Sequence, residues 1–117
     1  MRLTPQTLQA IQQAVSECFA PEATIRLFGS RLDDAGRGGD IGLLIDPPCP
    51  LTPGHLVATR NAFLARLYRL LGEQKIDVLI APASEPDDRS VVRTARRDGR
   101  VIAKVPQYTQ PLTSFRV

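Results

Sequence analysis

Thr24-Ile25-Arg26-Leu27-Phe28-Gly29-Ser30-Arg31, followed across a glycine-rich loop by Gly38-Gly39-Asp40-Ile41-Gly42-Leu43-Leu44-Ile45, decides how this chain is read. Thr24 to Phe28 combines β-branched and aromatic side chains, which suit a pleated, half-buried surface and predict a short strand. Gly29 to Gly39 holds four glycines and the adjacent Asp33 and Asp34, the composition of a loop. Ile41 to Ile45 is then apolar on both faces, which predicts a second strand at the centre of its sheet.

The flanking segments follow by capping and periodicity. Thr4-Pro5 opens a helix with a capping hydroxyl and a proline where no helical amide is lost. Leu8, Ile11, Val15 and Cys18 form its apolar stripe, and Pro21 closes the segment. Asp46-Pro47-Pro48-Cys49-Pro50 is expected to leave the sheet, since proline cannot serve an interior ladder. Thr52-Pro53 repeats the capping signal. A helix is predicted from there to about Leu71, with Leu56, Phe63, Leu67 and Leu70 on its buried side and Val57, Leu64 and Leu71 widening it. Gly72 stands at its C-terminal cap. Lys75 to Ile80 reads as a third strand. Asp87 or Asp88 is the expected cap of a last helix, from about Arg89 to Asp98 and closed by Gly99, and Val101-Ile102-Ala103 adds a short strand. The order α-β-β-α-β-α, with the last strand optional, predicts an α/β (α+β) fold with helices packed on a small mixed sheet. Residues 1–105 are expected to form one domain and 106–117 an irregular tail.

Composition bounds the function. Hydrophobic residues at 43% and charged residues at 23% are ordinary for a globular chain of 117 residues, long enough to bury a core without staples. No apolar run approaches the ~20 residues that span a bilayer, and the start lacks a secretory signal's apolar core. The two cysteines fall in unlike settings, Cys18 on a helical stripe and Cys49 among prolines, so neither a disulfide framework nor a zinc site is expected. The cytoplasm is the expected compartment. The net charge is only +3, but Arg89, Arg93, Arg96, Arg97, Arg100 and Lys104 stand against Asp98 alone in one stretch. That stretch could face an anion, although no aromatic residues are interleaved to stack on bases, and nucleic acid is not the expected partner. His55, the sole histidine, has no metal-binding partner nearby in sequence.

Acid interrupts apolar sequence twice. Asp40 stands at the mouth of the second strand and Asp77 inside the third. A carboxylate within such a segment is costly to bury unless it is paired or holds a cation. Two acids on neighbouring strands suit magnesium, which takes oxygen ligands from carboxylates and substrate phosphates. Gly29-Ser30, turning out of the first strand, can aim backbone amides and a hydroxyl at a phosphate.

This set, from Arg26 to Arg31, then Gly38 to Leu44, with Asp77 on Lys75-Ile76-Asp77-Val78-Leu79, resembles the DNA polymerase β-like nucleotidyltransferases, and among them the minimal nucleotidyltransferases. The likeness covers roughly residues 24–80. It implies transfer of a nucleoside monophosphate from a nucleoside triphosphate, with ATP expected, to a hydroxyl group, using two magnesium ions ~3.5–4 Å apart. By the resemblance, Gly29 and Ser30 hold the triphosphate with Arg31 within reach. Asp40 ligates metal, and Asp77 ligates metal and helps deprotonate the acceptor. Such proteins commonly accompany a small helical partner of the HEPN ribonuclease type in toxin–antitoxin modules, and the resemblance implies an antitoxin that modifies that partner. The sequence leaves the oligomeric state open.

One position departs from the pattern. The family's second acid, in Asp-x-Asp, should stand at 42, where this chain has Gly42. Asp46 lies on the same face but six residues beyond Asp40, about 20 Å along an extended strand. Asp33 and Asp34 sit on the loop, and nothing in the sequence fixes them to the site. Three functions therefore stand beside one another: an active transferase, a degenerate member that works by binding nucleotide or partner, and a nucleic-acid accessory protein using the stretch from Arg89 to Lys104.

Overall fold

Ile41, Gly42, Leu43, Leu44 and Ile45 are all buried, so both faces of one strand are covered. The computed structural model, which describes residues 3–29, 41–72, 75–82 and 86–105, explains this by position. The elements in chain order are α1 (Pro5–Cys18), β1 (Thr24–Phe28), β2 (Ile41–Asp46), α2 (Pro53–Leu71), β3 (Ile76–Ile80), α3 (Ser90–Asp98) and β4 (Arg100–Lys104). They build one mixed sheet of order β3-β2-β1-β4. β1 pairs antiparallel with β2, from Thr24 opposite Asp46 to Phe28 opposite Gly42. β2 pairs parallel with β3, from Ile41 beside Ile76 to Ile45 beside Ile80. β4 runs antiparallel along the other side of β1, with a bulge between Ile25 and Arg26. This is the small α+β architecture expected from the sequence, with the second strand central.

Alternation along the strands sorts the core into two layers. Ile25, Leu27, Ile41, Leu43, Ile45, Ile76, Val78 and Ile80 meet Ile11, Ala14 and Val15 of α1 and Phe63 and Leu67 of α2. Phe19 and Phe63 close this layer edge to face, ring centroids 5.4 Å apart. On the opposite side Leu44 and Ala81 pack against Val92 and Ala95 of α3, with Phe28 and Leu79 at the margin.

The helix boundaries have local causes. The side-chain oxygen of Thr4 accepts the Thr7 N–H, and that of Thr52 accepts the His55 N–H, with proline opening both helices. Gly72 ends α2 with φ of 77°, the left-handed region that glycine enters without strain. Gly99 ends α3 for a different reason. Its φ is −69°, but a Cβ there would collide with the Ala95 carbonyl oxygen and stand 3.2 Å from that of Leu27. Bare backbone lets β4 turn back onto β1 at once.

Several expectations need correction. Neither Asp87 nor Asp88 caps α3: the cap residue is Arg89, without a side-chain cap bond. The Asp87 carboxylate instead accepts the Arg89 backbone N–H at 3.0 Å and two bonds from its guanidinium. Asp46 stays in the sheet as the last residue of β2, opposite Thr24. Val57 is 55% exposed and lies outside the buried stripe of α2. Residues 106–117, read as a tail, lie outside the described residues. Among the described residues no helix is long and apolar enough to cross a membrane.

Both sheet edges carry a side chain from the helical layer. The Lys75 carbonyl and the Ala81 N–H bond to β2, so by alternation the Val78 carbonyl points away from the sheet. Arg60 Nε of α2 donates to it at 3.0 Å. Gln12 Nε2 of α1 donates to the Ile102 carbonyl of β4 at 3.4 Å.

Two outcomes follow from this packing. Phe63 is fully buried, so Phe63→Ala is expected to cost about 3–5 kcal/mol in urea unfolding. Hydrogen bonds from the Arg89 side chain and backbone hold the Asp87 carboxyl down from its ordinary 3.8 to about 2. Because the folded value is depressed, the contribution to stability is present above pH 3.8 and is lost as pH falls towards 2. An NMR titration of Asp87 is expected to show that low midpoint, and Arg89→Ala to return it towards the ordinary range.

Candidate functional site

β1 ends as Phe28 gives way to Gly29, whose φ of 85° lies in the left-handed region and turns the chain sharply away from the strand. The register brings three positions side by side at this end of the sheet. Phe28 pairs with Gly42, and Gly42 pairs with Asp77. Paired residues share a face, so Phe28, position 42 and Asp77 stand in one row across β1, β2 and β3. This is the face that α3 covers, and α3 packs over β1 and β2. Asp77, on edge strand β3, is left exposed.

Asp77 therefore differs from its reading as an acid buried in core sequence. β3 is an edge, and its alternating burial puts Ile76, Val78 and Ile80 inward and Asp77 outward. The carboxylate keeps its water, so burial gives it no need for a cation. Among the described residues it makes no hydrogen bond or ion pair. The fold places this carboxylate on the strand beside position 42. Of the other expected site residues, Ser30, Arg31 and Asp40 lie outside the described residues, as do Asp33 and Asp34.

Position 42 is more than a missing carboxylate. A Cβ built on Gly42 would lie 2.8 Å from Cε2 of the Phe28 ring, 3.0 Å from its Cδ2 and 2.8 Å from the Phe28 carbonyl oxygen. Real Cβ atoms do not approach that closely. The ring occupies the space that a side chain at 42 would need, and the carbonyl, fixed in the ladder, cannot swing aside as a side chain can. An aspartate could stand here only if β1 and β2 shifted against one another.

Magnesium can be tested against the residues present. It keeps several waters and binds through one or two carboxylates plus substrate phosphates. Asp77 offers one exposed carboxylate towards such an ion. Gly42 supplies nothing, and the described residues hold no group of three His, Cys, Asp or Glu side chains able to bind a metal.

The basic stretch is broken up by local partners. Arg89 pairs with Asp87, Arg97 with Asp98 and Lys104 with Glu22. Arg96 turns inward and donates to the Pro82 carbonyl at 3.0 Å. With Arg26 and Asp46 it lines a small polar cleft between α3 and the sheet. No continuous field of unpaired cations runs from Arg89 to Lys104.

Sequence reasoning missed one meeting of reactive groups. Cys18, Cys49 and His55, read separately, line one pocket at the opposite end of β1 and β2. No local pattern signals it, because the three belong to the end of α1, a loop and the start of α2. No protein-family model matches the chain, and no curated protein matches it.

The geometry at position 42 has a measurable consequence. Gly42→Ala is expected to destabilise the fold by about 1–3 kcal/mol through overpacking. Phe28→Leu in the same chain should recover only part of this loss, because the carbonyl contact remains. Urea unfolding of the single and double variants reads both values.

Proposed function

We propose that this chain is a nucleotidyltransferase-like protein that binds a nucleoside triphosphate, with ATP expected, together with magnesium at the end of the sheet where Gly29, Gly42 and Asp77 come together. The observation that carries this reading is the register of Gly42 beside Asp77, one strand from the left-handed turn at Gly29. Three segments separated in sequence thereby lie side by side at this end of the sheet, which supports the reading. The backbone at Gly29 and the Ser30 hydroxyl hold phosphate oxygens, with Arg31 adding positive charge beside them. Asp40 and Asp77 hold the metal, which when bound neutralises phosphate charge. Asp77, exposed at the edge, is open to an incoming acceptor hydroxyl and accepts its proton.

The Phe28 ring over Gly42 favours the degenerate form of this function over rapid turnover. A two-ion clamp requires a carboxylate shared between the ions, and position 42 has no room for one. The protein in this reading acts on its partner, a small helical protein of the HEPN type, chiefly by binding. Transfer of a nucleotide to a partner hydroxyl is slow or lost.

Calorimetric titration with a non-hydrolysable ATP analogue is expected to show binding that requires magnesium. Asp77→Asn and Asp40→Asn should each weaken it about tenfold or more, equivalent to at least ~1.4 kcal/mol. Failure of every common triphosphate to bind the natural chain would overturn the reading. Incubation with α-labelled ATP and the partner separates the two forms: little or no label supports binding, and rapid labelling abolished by Asp77→Asn restores the transferase.

A further inference from the structure

Cys18 ends α1, Cys49 lies in the loop between β2 and α2, and His55 lies in the first turn of α2. All three line one pocket, whose other walls include Phe19, Pro47 and Leu51. The pocket lies beyond the Thr24–Asp46 end of the β1–β2 pair, whereas the proposed nucleotide site lies at the Phe28–Gly42 end. None of its residues serves the function proposed above.

The two thiols are unequal. Cys49 is exposed, while Cys18 is partly buried and packs against the main core. Burial, and then the neighbouring Glu17 charge, push the Cys18 thiol up. A thiol exchanges only as its thiolate and only where a disulfide can reach it, so Cys49 is the group that meets a reagent from solution. The Pro47–Pro50 segment that carries it lies outside helix and strand, so Cys49 can approach Cys18 without unpicking a ladder.

We propose that this pocket is a thiol–disulfide site in which Cys49 captures a low-molecular-weight disulfide, such as oxidised glutathione, and Cys18 resolves it. The Cys49 thiolate attacks one sulfur of the small disulfide, whose S–S bond breaks and releases one thiolate. Cys18 then gives up its proton, with the His55 imidazole on the pocket wall available to take it, and attacks Cys49 Sγ. The second small thiolate leaves. Two protein thiols have become one disulfide, and the small disulfide, reduced by two electrons, has become two thiols. The product ties the end of α1 to the segment leading into α2 and closes the pocket.

The test uses the full chain with oxidised glutathione, followed by intact mass and peptide mapping. The expected product is a monomer about two mass units lighter, from two lost hydrogens, with Cys18 and Cys49 in one linked peptide pair. It should form faster in the folded chain than in the same chain unfolded in urea. Cys18→Ser should stop at one glutathione on Cys49, and Cys49→Ser should be modified much more slowly. A natural chain that stops at the glutathione adduct, dimerises through Cys49, or closes no faster folded than unfolded would overturn the proposal. So would modification of Cys49→Ser at the rate of the natural chain. The natural-chain measurement decides the matter even if either variant fails to fold.

Discussion

The double-sided burial of β2 is the constraint on which the remaining structure depends. A strand covered on both faces needs a neighbour along each edge and a layer above and below, and every other element except β4 helps to supply these. β1 and β3 satisfy its two edges, α1 and α2 cover the Ile41–Leu43–Ile45 side, and α3 covers Leu44. The parallel pairing with β3 forces the chain to cross over before it can return, and α2 spans that return. Register is equally constrained. Slipping β2 by one residue would carry Gly42, Leu44 and Asp46 to the side where α1 and α2 demand three large aliphatic side chains. That requirement fixes which residues stand beside Asp77.

Much of this was legible because it is local. Thr4-Pro5, Thr52-Pro53 and Gly72 mark helix ends by the bonds they make or the torsions they permit, and the helices begin and end there. The apolar run from Ile41 announces a central strand without reference to its neighbours. What escaped was set by distance along the chain. Lys75 to Ile80 carries the aliphatic content of core sequence, so Asp77 reads as buried. Only the strand order reveals an edge at which alternate side chains face water. The cap of α3 was misjudged because an aspartate preceding a helix can bond either into its first turn or to an adjacent arginine. Here Arg89 competes successfully. The shared pocket of the cysteines had no sequence signal at all.

Gly42 shows how a departure from a pattern can be read in two ways. Against the resemblance it is an absence, an expected acid replaced by glycine. In the fold it belongs to a pair, with the Phe28 ring lying where a side chain would project. Together they make the row of Phe28, Gly42 and Asp77 apolar at one end and acidic at the other, a surface with a different balance from a cluster of carboxylates. Asp77 is exposed, and its use depends on what approaches from solvent.

Arg60 and Gln12 have a consequence beyond the single molecule. A four-stranded sheet that does not close has two margins, each offering unpaired main-chain groups to any extended segment that drifts past. β3 is short and mostly aliphatic, the kind of margin along which separate chains could stack into insoluble aggregates. A guanidinium seated on the Val78 carbonyl, and on the far side an amide reaching Ile102, occupy an acceptor on each margin. The two helices that bury the core thus also set a side chain on each of its borders, where it competes with any strand that would dock there.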